Sequence, residues 1–176
     1  MISSMQPVNY KKLYIMCGLA FSGKSTLARK IAEYTKSNLI AFDTLWIEKD
    51  KEKPVPKNAE GWRYIRDAAQ TGILTALRDG SSVIYDDNNP RKEHREELRN
   101  IAKKAGVELI IIYLDTPLDT IRTRENNNKV KAERHSVEPK NFEKVLADFE
   151  RPTADENAMV FTPEMDVDSF LKKLER

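Results

Sequence analysis

The sequence Gly-Leu-Ala-Phe-Ser-Gly-Lys-Ser occupies residues 18–25. It matches the Walker A pattern of phosphate-binding loops at every fixed position. An apolar run at residues 13–17 precedes it and predicts a buried strand, and apolar residues follow at helical spacing over residues 24–36. A glycine-rich turn with an incidental lysine is the alternative interpretation. The strand, loop and helix in sequence favour phosphate binding.

The residue types of this loop suit a polyphosphate. Glycine lets the backbone curl so that its N–H groups point at phosphate oxygens, and the following helix presents its positive dipole end to the same anion. Lys24 would bind the outer phosphates, and the Ser25 hydroxyl would ligate magnesium. We therefore expect nucleotide contacts from Gly18, Ala20, Phe21, Ser22, Gly23, Lys24, Ser25 and Thr26.

Strand and helix signals alternate along the rest of the chain. Further strands are predicted at residues 39–42, 82–85, 107–114 and 158–161. Further helices are predicted at residues 61–78, 92–105, 117–128, 139–149 and 167–174. Five strands joined by such crossovers predict a parallel sheet with helices on both faces, whose ligands bind where the strands end. Charged residues 48–58, broken by prolines, predict a mobile surface loop.

Composition indicates one globular domain over residues 1–176. The chain is 40% hydrophobic and 33% charged, and no apolar stretch reaches the roughly 18 residues of a membrane helix. A single cysteine, Cys17, and an N-terminus unlike a secretory signal favour a cytoplasmic location. The formal charge of +2 gives no sign of a nucleic-acid partner. The oligomeric state stays open.

A switch GTPase is disfavoured. Such proteins read the base with Asn/Thr-Lys-x-Asp, whereas the nearest match, residues 128–131, reads Asn-Lys-Val-Lys and has a lysine where the carboxylate is needed. The sequence also contains no Asp-x-x-Gly switch. These observations favour an enzyme that acts on a second substrate.

Together with the phosphate loop, several other positions make the chain resemble a known group of small P-loop kinases. The group includes the 5′-kinase domain of polynucleotide kinase, chloramphenicol phosphotransferase and the zeta-toxin kinases. In it the third-strand motif usually reads Asp-x-Thr-Asn, and Asn88 stands where threonine is common. The matching positions are Asp43, residues 83–89 (Val-Ile-Tyr-Asp-Asp-Asn-Asn), Arg95, Arg122, Arg124 and Arg134.

The resemblance implies a three-layer P-loop NTPase fold with strand order 2-3-1-4-5 and a helical lid at about residues 118–137. It implies transfer of the γ-phosphoryl group of ATP, with Mg²⁺, to a hydroxyl of an unidentified acceptor, either a small molecule or a 5′-hydroxyl nucleic acid. Lys24 and the lid arginines would supply electrostatic positioning. The alternative is a nucleotide-binding regulatory or partner protein without acceptor phosphorylation.

The resemblance also assigns roles to the carboxylates that follow two strands. Asp43 would be the general base that accepts the proton of the acceptor hydroxyl, and the alternative is an N-cap for a helix that begins at Thr44. Asp86 would join Ser25 at the magnesium ion. Asp87 is its rival, and an ordinary Asp-Asn turn is the alternative for both.

Arg124 and Arg134 are the lid arginines that we expect at the transferring phosphoryl group. Arg122 lies two residues from Arg124, so the two cannot share a helical face. Arg95 lies in a highly charged helix, where exposure to solvent is the ordinary expectation. Residues 46–66, with both tryptophans, lie where such kinases bind the acceptor, although core packing is the favoured interpretation of their aromatic side chains.

Overall fold

The structure is a computed structural model that describes residues 11–131 and 139–174. These residues form one parallel sheet in the order β2-β3-β1-β4-β5, which confirms the predicted topology. The strands are β1 Lys12–Cys17, β2 Asn38–Ala41, β3 Val83–Asp86, β4 Glu108–Leu114 and β5 Met159–Phe161. The α-helices are α1 Lys24–Thr35, α2 Phe42–Glu52, α3 Ala59–Arg78, α4 Lys92–Ala105, α5 Leu118–Lys131, α6 Pro139–Ala147 and α7 Val167–Lys173, with a 3-10 turn at Ala154–Glu156. None of these described helices is long and apolar enough to cross a membrane.

The central strand β1 contributes side chains to both layers of the core. It pairs with β3 on one side and β4 on the other. Leu13, Ile15 and Cys17 pack in the core that α3 and α4 cover, whereas Tyr14 and Met16 pack in the core that α1 and α7 cover. Because successive strand residues point to opposite faces, burial on both faces requires an uninterrupted apolar run. The phosphate loop therefore begins at a strand that is fixed on all sides.

The prediction of a mobile loop over residues 48–58 is wrong for its first half, because α2 continues to Glu52. The prolines come only after the helix ends, so they do not interrupt it. Lys49 forms an ion pair of 3.0 Å with Glu52 in the last turn. Beyond the helix, Val55 is buried and its N–H donates to the Asp50 carboxylate at 2.7 Å. The charged residues are thus the solvated face of an anchored helix.

A buried ion pair joins α4 to the turn before β5. The side chains of Arg95 and Glu156 are 0% and 1% exposed. Arg95 donates from Nε and Nη2 to the two carboxylate oxygens, at 2.7 and 2.9 Å. Burial alone would raise the pKa of Glu156, but hydrogen bonds from Arg95 and Thr153 outweigh it and lower that pKa. The expectation that Arg95 is exposed is therefore wrong, and the reason is a partner 61 residues away in the chain.

This ion pair holds the loop that follows β3. Arg95 Nη1 donates to the Asn89 carbonyl oxygen at 3.0 Å, and the Asn89 side-chain amide donates to the Met16 carbonyl oxygen at 2.7 Å. The Gly18 N–H donates to the Asn88 carbonyl oxygen at 3.1 Å. Asn89 has a φ of 42°, a left-handed conformation that asparagine tolerates better than most residues. The point where the phosphate loop leaves β1 is thus tied to the buried pair.

We predict that Glu156→Gln lowers the free energy of unfolding by about 3–5 kcal/mol, because the buried guanidinium loses its counter-charge. Urea denaturation followed by circular dichroism measures this change. Asp155→Asn is the matched control, since Asp155 forms an exposed ion pair of 2.7 Å with Lys92, and its loss should be much smaller. Equal losses in the two variants would contradict the importance of the buried pair.

Candidate functional site

The loop of residues 18–25 wraps around a buried ammonium group. Lys24 Nζ donates to the Leu19 carbonyl oxygen at 2.7 Å. Gly23, at a φ of 107°, precedes α1 and provides no side-chain cap for it. The Ser22 hydroxyl is buried and has no hydrogen-bond partner among the described residues. An uncapped helix N-terminus beside an unsatisfied buried hydroxyl and a lysine fits the phosphate groups of a nucleotide.

Burial and nearby carboxylates set the charge state of Lys24. Burial lowers its pKa, and the charges of Asp86, Asp87 and Asp43, in decreasing order of effect, act to raise it. Burial prevails, so the pKa of Lys24 lies below its usual value. An anion that enters the loop would favour the charged ammonium. All three carboxylates that the sequence singled out therefore lie within electrostatic reach of Lys24.

Asp86 and Asp87 differ in how they are held. Asp86 ends β3 and is buried. The Asp87 carboxylate accepts hydrogen bonds from the Tyr85 hydroxyl at 3.2 Å and from the Asn88 N–H at 2.7 Å. Burial raises the pKa of Asp87 to about 6. Asp86 has a larger effect than Asp87 on the pKa of Lys24. The choice of Asp86 for the metal stays a prediction.

Asp43 lies in the first turn of α2, where β2 ends. The helix begins at Phe42, and its N-cap residue is Ala41. The alternative of an N-cap for a helix that begins at Thr44 is therefore wrong, because Phe42 already belongs to the helix rather than to the strand. A carboxylate in a first turn still interacts favourably with the helix dipole. The effect of Asp43 on the pKa of Lys24 shows that it lies within electrostatic reach of the loop.

One predicted lid arginine contacts the phosphate loop directly. Arg124 Nη1 donates to the carbonyl oxygens of Ser22, at 3.0 Å, and Phe21, at 3.2 Å. The Thr116 hydroxyl, which follows β4, donates to the same Ser22 oxygen at 2.9 Å. The guanidinium of Arg124 therefore lies at the mouth of the loop, where it can reach a bound phosphate.

Arg122, another arginine of the predicted lid at residues 118–137, contacts a different part of the chain. Arg122 donates to Glu143 of α6 at 3.1 Å and lies over the Phe142 ring, 5.7 Å from its centroid. This separation from Arg124 agrees with their spacing of two residues. Arg134 lies outside the described residues.

A cleft of about 480 Å³ adjoins the loop. It lies between the start of α1, the helix α5 and the segment that follows β5. Apolar Phe161, Pro163 and Met165 form part of its wall, and Arg124 and Asn127 contribute polar groups. Ligand pockets have volumes of about 300–1,000 Å³ and combine apolar walls with a few polar groups. The cleft fits a nucleotide base next to the phosphate loop.

The donor groups near the loop suit magnesium. The described parts of the chain contain no cluster of three or more His, Cys, Asp or Glu side chains able to hold a metal. Mg²⁺ does not need such a cage, because it keeps several waters and binds one or two carboxylates together with phosphate oxygens. The Ser25 hydroxyl and the Asp86 carboxylate are oxygen donors of the required kind.

The sequence did not indicate which residues hold the phosphate loop in place through hydrogen bonds and the buried ion pair. Thr116 gave no signal beyond its place after a strand. Asn89 stood in the strand-end motif, and an asparagine before a proline is a turn signal. Thr153 and Glu156 form a capping box, a pattern readable in sequence, but nothing in the sequence linked Glu156 to Arg95.

Comparison with known proteins agrees with this geometry. A family model described as an AAA domain, AAA_33, matches residues 13–152. The chain is 36% identical to L-seryl-tRNA(Sec) kinase of Methanococcus maripaludis over 116 residues, which are 64% of this chain and 44% of that protein. The chain thus spans less than half the length of that relative. It is 26% identical to adenylyl-sulfate kinase of Saccharomyces cerevisiae, over 80% of the chain and 71% of the relative.

Solved structures share the fold. The APS kinase of Mycobacterium tuberculosis, in complex with AMPPNP and APS, has a TM-score of 0.72 at 17% identity and covers 94% of this chain and 96% of its own. Kti12 of Chaetomium thermophilum, in complex with ADP-AlF3, has a TM-score of 0.73 at 22% identity. The match covers 93% of this chain and 97% of that structure. The narrower resemblance to polynucleotide 5′-kinase, chloramphenicol phosphotransferase and zeta-toxin kinases stays a prediction.

We predict that ATP with Mg²⁺ raises the melting temperature, since a ligand at 100 times its Kd adds about 2.7 kcal/mol to the stability of the native state. Lys24→Ala should lose most of this rise, because we expect the ammonium to bind the outer phosphates. Arg29→Ala, an exposed position on the same helix, is the matched control and should keep it. Differential scanning fluorimetry makes the comparison, and an equal rise in both variants would refute phosphate binding by the loop.

Proposed function

The chain belongs to the AAA domain family, and we propose that it is a kinase that transfers the γ-phosphoryl group of ATP to a hydroxyl of a second substrate. One observation carries the proposal: a buried lysine in a phosphate loop lies within electrostatic reach of three carboxylates, while an arginine contacts the same loop. Phosphoryl transfer needs cations for the phosphates and a carboxylate for the acceptor hydroxyl. Lys24 supplies one of the cations, and the three carboxylates lie within its electrostatic reach.

The nucleotide side is served by the loop, the cleft and Arg124. Phosphate oxygens would replace the Leu19 carbonyl as the partner of Lys24 and would satisfy the Ser22 hydroxyl. Arg124 would turn from the loop carbonyls to the γ-phosphoryl group. There its guanidinium would neutralise the charge that develops in the transition state. The base would occupy the cleft between α1 and the segment after β5.

The acceptor side is served by Asp43. The acceptor oxygen attacks the γ-phosphorus, the bond from that phosphorus to the β–γ bridging oxygen breaks, and ADP leaves. The proton of the acceptor hydroxyl passes to the Asp43 carboxylate. Ser25 and Asp86 would hold the magnesium ion, which when bound neutralises phosphate charge. The lid at residues 118–137 would bring Arg124 and Arg134 to the phosphoryl group and exclude water.

The relatives support a kinase function, but their names do not agree on one acceptor. Those reported above include two named as kinases, of seryl-tRNA(Sec) and of adenylyl-sulfate. The second candidate is a nucleotide-binding partner protein without acceptor phosphorylation. Two similar proteins whose names do not identify them as kinases support this candidate more weakly: Kti12, by its fold, and the KTI12 homolog of Arabidopsis thaliana, which is 28% identical over 80% of this chain and 47% of that protein. Phosphoryl transfer to an acceptor separates the two candidates.

We predict that Asp43→Asn lowers kcat by roughly 10²–10⁴-fold, the usual share of general base catalysis. The drop can be smaller, because phosphoryl transfer also relies strongly on positioning. Nucleotide affinity should be unchanged, since the loop holds the phosphates. Glu48→Gln, an exposed position on the same helix, is the matched control. Activity within twofold of wild type in both variants would show that Asp43 is not the base.

A further inference from the structure

Three aromatic rings form a cluster where α2 and α3 begin. Trp62 stacks on Phe42, with ring centroids 5.4 Å apart and an interplanar angle of 8°. Trp46 lies against both, 4.9 Å from Trp62 and 6.0 Å from Phe42. Phe42 is buried, but Trp62 is 43% exposed. An aromatic side chain that is stacked on one side and exposed on the other can offer its outer face to a planar ligand.

This aromatic cluster lies at the same edge of the sheet as the carboxylates. Phe42 directly precedes Asp43. Trp62 lies in the first turns of α3, which runs back toward the start of β3, so its N-terminus lies where the strands end. Helix α4 begins at that edge too, and a hydrogen bond of 2.9 Å between Gln70 and Glu97 links the two helices.

Arg66 provides a positive charge next to the cluster. It lies one helical turn beyond Trp62 on the same face of α3. Burial raises the pKa of Tyr85, and the charge of Arg66 opposes that rise; burial lowers the pKa of His94, and the charge of Arg66 adds to that effect. Arg66 therefore lies within electrostatic reach of the end of β3 and the start of α4. It is half-buried, and no residue in the described ranges forms an ion pair or hydrogen bond with it. Such an arginine suits a carboxylate or phosphate of a ligand.

We propose that the acceptor is a small hydroxyl compound with a planar ring and an anionic group. The ring stacks on Trp62, the carboxylate or phosphate binds Arg66, and these two contacts direct the hydroxyl toward Asp43. Holding the acceptor at two points fixes its orientation, which is a large part of the catalysis of a two-substrate reaction. The inference rests on the proposed kinase function, because it assigns the ligand the role of acceptor.

The surrounding charges favour a small anion over a nucleic-acid strand. Residues 48–53 of the neighbouring segment read Glu-Lys-Asp-Lys-Glu-Lys, which is not the continuous basic track that a phosphate backbone requires. Burial and then the charge of Arg66 lower the pKa of His94, so this imidazole is neutral near pH 7. Arg66 thus adds a positive charge beside an aromatic face, which matches one anionic group.

Tryptophan fluorescence tests the proposal, because the chain has two tryptophans and both belong to the cluster. We expect 4-(hydroxymethyl)benzoate, which has a ring, a carboxylate and a hydroxyl, to quench this fluorescence saturably in the absence of ATP. Benzyl alcohol lacks the anion and glycolate lacks the ring, so each should bind at least roughly tenfold more weakly. Equal affinity for the three probes would overturn the proposal.

Arg66→Ala should raise the Kd of 4-(hydroxymethyl)benzoate by roughly tenfold or more and leave that of benzyl alcohol unchanged. Arg63→Ala, an exposed arginine of the same helix, is the matched control and should change neither. An unchanged melting temperature verifies that both variants fold. Identical titrations of the two variants would overturn the proposal, and so would a 5′-hydroxyl oligonucleotide that binds more tightly than the probe.

The failure of this inference can be distinguished from the failure of the kinase function, because the titration requires no phosphoryl transfer. Probe binding that depends on Arg66, with no transfer to any hydroxyl compound, would refute the kinase function and with it the role of the ligand as acceptor. Transfer to an acceptor that proceeds equally well in Arg66→Ala would overturn the assigned substrate class and leave the kinase function standing.

Discussion

The buried ion pair between Arg95 and Glu156 is the interaction on which the geometry of the phosphate loop depends. Through Asn89 it fixes the carbonyl of Met16, and the loop leaves β1 within two residues of that point. Removing either charge alone would leave the other buried and unpaired, so the turn after β3 is held in one arrangement. Firm support of this kind matters because phosphoryl transfer depends more on positioning and electrostatics than on covalent chemistry by the protein.

The strand order divides the site into two sides around Lys24. The loop that follows β1 lies at the centre, with the cleft beside β4 and β5 and the aromatic cluster beside β2 and β3. On the second side Asp43 lies just after β2 and Asp86 ends β3, whereas Arg124 comes from α5 on the first. A nucleotide and an acceptor that bind on these sides would meet at the lysine from opposite directions. Approach from opposite directions is what the in-line geometry of phosphoryl transfer requires.

The fold and the phosphate loop could be predicted because their signals are local: continuous apolar strands, helical spacing and a fixed pattern over residues 18–25. The burial of Arg95 and the extent of α2 could not be predicted, because they depend on contacts that local sequence patterns do not reveal. Arg95 resembled any solvated residue of a charged helix, since its partner lies 61 residues away. The charged residues of α2 look the same in a loop and on a helix surface, and Val55 beyond them, which is buried and hydrogen-bonded to Asp50, helps to anchor the segment. Local patterns therefore predicted which residues carry charge but not which charges are buried.

Transfer of labelled phosphate tests the central claim most directly. The protein would be incubated with Mg²⁺ and ATP labelled at the γ-phosphate, together with a panel of hydroxyl compounds that includes aromatic anions and 5′-hydroxyl oligonucleotides. A kinase will place the label on one class of acceptor and release ADP in equal amount. Tight nucleotide binding with the label recovered only in ATP or as inorganic phosphate, whichever compound is present, would contradict the claim and favour a nucleotide-binding partner protein.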